Sequence, residues 1–310
     1  LMRILHVTDR LSARGGADWH LLGVLAEQVK EHTVHLAVAG ADGSAEAPCP
    51  VTSVPGLDAR AATAVDLEGV AGSFAPDVVH LHNVVNPEVL AWAGGLPAVM
   101  TVQDHRSFCP GRGKVTRAGE VCSSPMSESQ CASCFDDRDY CLRIFEATTK
   151  RLEGVRGLRL TVLSEYMKGE LSAVGVPADR IHVIPPFVHG LHPAAEAADP
   201  PCVLFSGRLV AAKGIWDAVE AWRRSGVNMP LVFAGTGSER NRLEAEGFEV
   251  TGWLGHRRLS AVYHSAAALV FPPRWQEPFG IAGLEALAMG VPVAAWESGG
   301  VSEWHPGGCV

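Results

Sequence analysis

The sequence predicts an α/β protein built as two successive domains, each a parallel sheet wrapped by helices. Three observations carry this: a length of 310 residues, an alternation of short apolar runs with helical stretches, and a single break in that alternation. The length is about twice the ~150 residues usual for one domain, which excludes a small module and leaves one large barrel as the competing architecture. Apolar runs alternating with helical periodicity imply parallel strands joined by helical crossovers. The break, from Val188 to Pro201, is rich in Ala and Pro. It reads as a connection between domains, giving an amino-terminal domain over 1–187, a linker over 188–200 and a carboxy-terminal domain over 201–310.

In chain order, Arg3 to Thr8 reads as a strand, followed by a turn at Gly15-Gly16 and a helix from Asp18 to Lys30 with Leu21, Leu22, Leu25 and Val29 on one face. The pattern repeats with strands at Val34–Ala39 and Val51–Val54, a helix at Ala59–Phe74, a strand at Asp77–Leu81, a helix at Pro87–Ala93 and a strand at Ala98–Val102. The stretch from Gln103 to Asp139 is too long for an ordinary connection and reads as functional or metal-pinned. Beyond it come a helix at Ile144–Leu152, a strand at Arg159–Leu163, a helix at Glu165–Val174 and a strand at Ile181–Ile184. The second series opens at Val203–Arg208 with a strand, loop and helix. It continues with strands at Leu231–Ala234, Phe248–Thr251, Ala268–Phe271 and Val291–Ala294, and helices at Glu239–Glu246, Arg258–Ala266 and Phe279–Met289.

Composition bounds the partners. With 47% apolar and 19% charged residues the chain buries sizeable cores. Thirty-four acidic against twenty-six basic residues leave a net charge of −8, so no global field draws nucleic acid or an anionic membrane. Any phosphate contact must be local. No apolar run reaches membrane-spanning length, and the first residues read as a strand without the order of a signal peptide. A cytoplasmic protein is expected, with peripheral membrane association left open.

The most informative stretch is Glu277-Pro-Phe-Gly-Ile-Ala-Gly-Leu-Glu285, with two carboxylates eight positions apart at a helix start. Eight residues at ~1.5 Å rise span ~12 Å and bring the second carboxylate to within ~80° of the first, so both can line one cleft. The amides near Phe279, Gly280 and Ile281 open the helix and suit a phosphate. A sugar hydroxyl, a diphosphate and a ribose fit that order. Ser206-Gly-Arg208 and Lys213-Gly214 follow the first strand of the same domain, at the sheet edge where open α/β proteins bind ligands. Arg208 and Lys213 can neutralise a diphosphate there. A lysine is otherwise disfavoured beside a helix N-terminus.

Five of eight cysteines crowd one segment. Cys109, Cys122, Cys131 and Cys134 have the spacing C-x12-C-x8-C-x2-C, with Cys141 left over. In a reducing compartment such a cluster favours a metal site, and the C-x2-C pair suits tetrahedral thiolate zinc. An iron–sulfur cluster, disulfides and free thiols remain open.

With Gly15-Gly16, His80-Leu-His82, Ser206-Gly-Arg208, Lys213-Gly214, Gly235-Thr-Gly237, the Glu277/Glu285 pair and Gly299-Gly300, the chain resembles the retaining nucleotide-sugar glycosyltransferases of family 4, over nearly its whole length. The resemblance implies the GT-B fold, two Rossmann-like domains facing across a cleft. It implies that Arg208 and Lys213 bind the donor diphosphate, Glu277 the sugar hydroxyls and Glu285 the ribose, with the base near Gly252 to Gly255. Gly16 would close on the diphosphate from the amino-terminal side, and Gly235 and Gly237 would line the donor site. By the same resemblance the donor would be a UDP-, GDP- or ADP-sugar and the acceptor a saccharide, lipid-linked or small molecule, and no metal would be required for catalysis. Relatives often carry a His-Asp pair where this chain reads Gln103-Asp104-His105, so acceptor-side roles fall to Asp104 and His105. His80 reads as structural. Relatives usually continue beyond the Gly299-Gly300 region, so the carboxy-terminal end reads as shortened at Val310. The competing readings are a GT-B epimerase or phosphorylase, and a non-catalytic nucleotide-sugar-binding or scaffold protein.

Overall fold

A computed structural model describes residues 1–192, 200–305 and 307; most of the expected linker, 193–199, lies outside the described residues. Contacts divide the chain into two compact units, one of Leu1–Ala13 with Ala17–Pro185, the other of Arg14–Gly16 with the described residues from Pro186 onward.

The first unit is built on seven strands: β1 (Arg3–Leu11), β2 (Thr33–Ala41), β3 (Val51–Ser53), β4 (Val78–His82), β5 (Ala98–Val102), β6 (Arg159–Val162) and β7 (Ile181–Val183). They lie in the order β3-β2-β1-β4-β5-β6-β7, every pairing parallel. The helices are α1 (Gly16–Gln28), α2 (Glu68–Phe74), α3 (Pro87–Ala93), α4 (Glu128–Ala132), α5 (Arg138–Gly157) and α6 (Glu165–Ala173). Leu5, Leu81, Met100 and Leu160, from four neighbouring strands, are wholly buried in its core. Each such side chain contributes roughly 1.5–3 kcal/mol relative to exposure.

The second unit repeats the plan with β8 (Cys202–Ser206), α7 (Ile215–Ser225), β9 (Leu231–Ala234), α8 (Arg240–Ala245), β10 (Glu249–Gly252), α9 (His256–Ser265), β11 (Ala266–Phe271), α10 (Ile281–Ala288) and β12 (Val293–Ala295). The parallel order is β10-β9-β8-β11-β12. Strand alternation puts Leu204 in a cluster with Tyr263 and Leu269, and Phe205 in a second cluster with Ile215, Val219 and Phe233. The order reverses between β8 and β11, and the loops leaving those two strands meet there, the place where such sheets bind ligands.

Two elements depart from the sequence pattern. The helix expected over Ala59–Phe74 forms only from Glu68. The chain before it is captured by Asn86, whose amide donates to the carbonyls of Gly56 and Thr63 and accepts from the Thr63 amide, while Arg151 donates to the carbonyl of Arg60. These tertiary bonds outcompete even the favourable helix propensity of an alanine-rich stretch, because propensity differs by under about 1 kcal/mol per residue and tertiary context overrides it. Conversely α5 starts at Arg138, six residues before the expected Ile144, because Asp137 caps it by accepting from the Tyr140 amide at 2.9 Å. No helix among the described residues is long and apolar enough to cross a membrane.

Candidate functional site

In the second unit the loop after β8 carries Arg208 and Lys213, and the loop after β11 carries Trp275 and Glu277. Backbone contacts fix one loop on the other. The amides of Arg274 and Trp275 donate to the Ala212 carbonyl at 3.0 and 3.1 Å. At Gly214 the backbone is left-handed (φ +72°), and a Cβ would fall 1.6 Å from the Pro272 carbonyl oxygen; only glycine fits. Lys213 is thereby held against Glu277, with which it pairs, and Trp275 Nε1 donates to the same Glu277 Oε1 at 2.6 Å. The Lys213 ammonium stands 4.5 Å from the Trp275 ring centroid, and the Arg208 guanidinium carbon 5.8 Å from it. Burial lowers the Lys213 pKa, Glu277 opposes that shift, and nearby Arg208 adds to it. Two cations thus lie near one indole ring beside one buried carboxylate.

The Glu277 backbone is held from the far side: its carbonyl accepts from the Gly300 amide at 2.8 Å, and Ser298 Oγ donates to the Trp275 carbonyl at 2.6 Å. This gives the Gly299-Gly300 motif a structural task. The helix α10 opens at Ile281 after Gly280, with no side-chain cap on its first turn. Phe279, expected inside that helix, precedes it. Glu285 lies on α10, buried, and accepts from the Tyr263 hydroxyl at 3.0 Å. Burial pushes its carboxyl up to about 7, against the lowering effect of the Tyr263 bond.

Gly235 and Gly237 sit where the loops after β8 and β9 touch. A Cβ on Gly235 would fall 1.9 Å from the Gly207 carbonyl oxygen, and one on Gly237 2.2 Å from that of Leu209. Backbone crowding alone demands glycine at both. Trp275 and Tyr263 went unread in the sequence. An indole two residues before Glu277 was visible there, whereas the Tyr263 bond to Glu285 joins residues of two helices and leaves no local signal.

In the first unit the turn after β5 gathers Asp104 with Asn83 and Arg106. Asn83 Nδ2 and Arg106 Nε each donate to Asp104 Oδ2 at 2.7 Å, and Arg106 also pairs with Asp9 at 3.6 Å. Asp9 is pushed up to about 6, chiefly by burial and against the nearby Arg106. Asp104 remains partly open, at 24% side-chain exposure. His105 is turned the other way: it is 2% exposed, bonds the Tyr166 hydroxyl at 3.0 Å, and burial lowers it to about 4. Gln103, in the place of the expected histidine, bonds His20 at 2.9 Å. Gly15 and Gly16 stand at the start of α1, both half-buried.

His6, His80 and His82 bring a ligand nitrogen each within 4.8 Å of one another. Their nitrogens are largely engaged: His6 Nδ1 with His82 Nε2 at 2.8 Å, His6 Nε2 with Gln28 at 2.7 Å, and His80 Nε2 with Thr101 at 2.7 Å. The charges acting on His80 and His82 are other histidines, so a divalent cation there would lie buried without an anion to offset it. The trio suits a neutral structural cluster. The seven described cysteines are free thiols, and Cys131 and Cys134 each lie within electrostatic reach of Cys109 and Cys122. Cys141, buried on α5, lies within electrostatic reach of Cys134 alone among them.

A parallel sheet whose switch point carries paired cations, a buried carboxylate and an open helix N-terminus is the arrangement at which open α/β sheets bind ligands, and the comparisons name the family. The profile described as Glycosyltransferase Family 4 matches residues 14–189, more than half of the chain, and that described as Glycosyl transferases group 1 matches 192–304. The chain belongs to glycosyltransferase family 4. A stretch of 112 residues is 37% identical to the glycogen synthase of Mycobacterium tuberculosis (strain CDC 1551 / Oshkosh), covering 33% of this chain and 27% of that protein. A longer stretch of 219 residues is 26% identical to the uncharacterized glycosyltransferase MJ1607 of Methanocaldococcus jannaschii, covering 59% of this chain and 54% of that protein. The chain therefore spans about a quarter to a half of the length of these curated relatives. Among solved structures, WaaG, a glycosyltransferase involved in lipopolysaccharide biosynthesis, superposes with TM-score 0.67 at 16% identity over 97% of this chain and 83% of that one. Anabaena HepE in complex with UDP and glucose gives 0.67 at 15% identity over 98% and 83%. These likenesses establish the GT-B glycosyltransferase fold.

Proposed function

We propose that the protein transfers a sugar from a nucleotide diphosphate donor to an acceptor hydroxyl with retention of anomeric configuration. The observation that carries this reading is the Lys213–Glu277–Trp275 cluster beside Arg208 at the opening of α10. Breaking the bond from the sugar C1 to the diphosphate oxygen puts negative charge on the leaving group and positive charge on the ring. Arg208, Lys213 and the first amides of α10 stabilise the former. Glu277, whose Oε1 is engaged by Lys213 and Trp275, presents its remaining acceptor capacity to sugar hydroxyls. The acceptor oxygen bonds C1 on the face the diphosphate leaves, and its proton passes to the departing phosphate oxygen, so no metal takes part.

Glu285 accepts from ribose hydroxyls, the base lies near Gly252 to Gly255, and Gly235, Gly237, Gly15 and Gly16 keep their proposed donor-side role. Asp104 takes the acceptor-side role; the interior position of His105 makes it a support for the turn. UDP-glucose as donor is supported by the nucleotide and sugar in the HepE complexes. The GDP-mannose-dependent relative, 34% identical over 91 residues, keeps GDP-sugars in the panel, and ADP-sugars complete it. The acceptor is a saccharide, lipid-linked or small molecule, in a cytoplasmic setting.

The test is a thermal-shift panel of UDP-, GDP- and ADP-sugars, followed by nucleoside diphosphate release and proton NMR of the new anomeric centre. One donor class is expected to stabilise the protein, with turnover abolished in Glu277→Gln and the configuration retained. Tight nucleotide binding without hydrolysis or transfer from any donor would make the chain a binding or scaffold protein. An inverted product would overturn the mechanism.

A further inference from the structure

Between Cys109 and Asp136 only Lys114 and Val115 are buried. Fixing one residue's backbone costs roughly 1–2 kcal/mol, and the segment, which leans on the main core only through Cys109 and Met126, has no hydrophobic core of its own to offset that cost. Yet it is shaped. A short antiparallel bridge joins Val115 to Val121, and the Cys122 amide donates to the Lys114 carbonyl at 2.8 Å. Lys114 is tied outward to Glu170 on α6 at 3.3 Å. The helix α4 is capped by Ser127 and ends at a turn in which the Cys134 amide donates to the Cys131 carbonyl at 3.0 Å.

Each of these short pieces delivers a cysteine to one place. Cys109 closes the turn that begins at His105, its amide donating to the His105 carbonyl at 2.7 Å. Cys122 comes from the hairpin, and Cys131 and Cys134 from the end of α4. Cys131 senses Cys109, Cys122 and Cys134, and Cys134 senses Cys109 and Cys122. Gly111 leaves the space between two of them open: a Cβ there would lie 3.5 Å from Cys134 Sγ and 3.9 Å from Cys109 Sγ. Arg112 supplies a cation near Cys134.

We propose that Cys109, Cys122, Cys131 and Cys134 are the four ligands of a structural zinc ion that serves residues 109–136 in place of an apolar core. Zn–S bonds of ~2.3 Å in a tetrahedron set the sulfurs ~3.7 Å apart. The four are less tightly drawn together than the 4.8 Å histidine trio, but they stand on short pieces joined by exposed turns, which lets them close on an ion. All four are half-exposed, which suits a redox-inert ion better than an iron–sulfur cluster open to solvent. Each thiol gives its proton to solvent as its sulfur bonds the ion, so loading is favoured as pH rises and involves no electron transfer. Cys109 follows the Asp104–Arg106 turn directly, so the ion anchors that turn. The proposal does not depend on the sugar-transfer reading.

The experiment uses the full chain purified in reducing buffer, with metal content measured by mass spectrometry and thiols by titration. One zinc per chain is expected. It should be lost in Cys122→Ser and Cys134→Ser, and kept in Cys141→Ala. Cobalt loading should give the visible bands of a tetrahedral thiolate site. Because a ligand variant can fail to fold, the wild-type chain is also treated with chelator: protease cuts should then appear between residues 109 and 136 and disappear when zinc is restored. Zinc-free protein with the same protease pattern, zinc retained in Cys122→Ser, iron with labile sulfide, or disulfides among these four would each overturn the proposal.

Discussion

Lys213 and Glu277 form an ion pair at the point where β8 and β11 diverge, with side chains only 16% and 4% exposed. Trp275 donates to the same carboxylate oxygen, so two donors and a ring face confine one acid. Removing one member of a buried pair strands the other, at about 3–5 kcal/mol. Glu277→Ala should therefore lower stability by about that much in urea unfolding of the second unit. The double substitution Lys213→Met with Glu277→Leu should recover most of it while abolishing donor-induced thermal stabilisation. If Glu277→Ala unfolds at the wild-type urea concentration, the two side chains are not paired in solution.

Glu285 sets a pH dependence of the opposite origin. Its carboxyl is raised to about 7 in the folded protein from an ordinary 4.5, so the folded state holds a proton that the unfolded state has lost. Stability is greatest below pH 4.5 and declines as pH rises from there to about 7, by a few kcal/mol at most. Glu285→Gln should flatten that decline. If the ionised carboxylate is what accepts from ribose, UDP affinity should increase between pH 6 and 8 in the wild type and lose that dependence in the variant. Calorimetric titration across this range measures it, and an unchanged pH profile in Glu285→Gln would remove Glu285 from nucleotide binding.

The histidine cluster works the other way. Burial lowers His6 to about 4 and His80 to about 3, with neighbouring histidines adding to the shift at His80. Each is neutral in the folded protein while its unfolded counterpart takes up a proton below 6.5. Their contribution is complete above pH 6.5 and is lost progressively as pH falls toward 4 and 3. Acid unfolding of the first unit, followed by circular dichroism, should shift to lower pH in His80→Gln, which can still hydrogen-bond Thr101 and no longer titrates. A midpoint that does not move would show that this histidine is already protonated in the native state.

The parts legible in the sequence were those written locally. Strand and helix alternation foretold both sheets, and the spacing from Glu277 to Glu285 put two acids at one helix start, though their burial left no mark in the sequence. The glycines were legible as positions but not as causes, since Gly214, Gly235 and Gly237 are required by carbonyls of Pro272, Gly207 and Leu209 that come from other loops. His105 was misleading for the same reason: whether a histidine beside an aspartate faces solvent or Tyr166 depends on a residue 61 positions away. The helix expected from Ala59 fails because its competitor, Asn86, arrives from the start of α3.

That competition is measurable. Asn86 is wholly buried, caps α3 by accepting from the Glu88 amide at 3.1 Å, and satisfies the Thr63 amide and the Gly56 and Thr63 carbonyls. Asn86→Ala removes every one of these bonds and leaves the Thr63, Glu88 and Gly56 backbone groups to water, at about 0.5–1.5 kcal/mol for each bond lost. Asn86→Asp keeps the acceptor bonds and loses the donor bonds to the two carbonyls. Stability should therefore fall in the order wild type, Asn86→Asp, Asn86→Ala, read from urea midpoints at pH 7.5. Amide exchange at Thr63 should accelerate in Asn86→Ala and stay slow in Asn86→Asp. Equal exchange in the two variants would mean that the 56–66 loop is held by its own turns and that Asn86 does not hold the chain out of the helix.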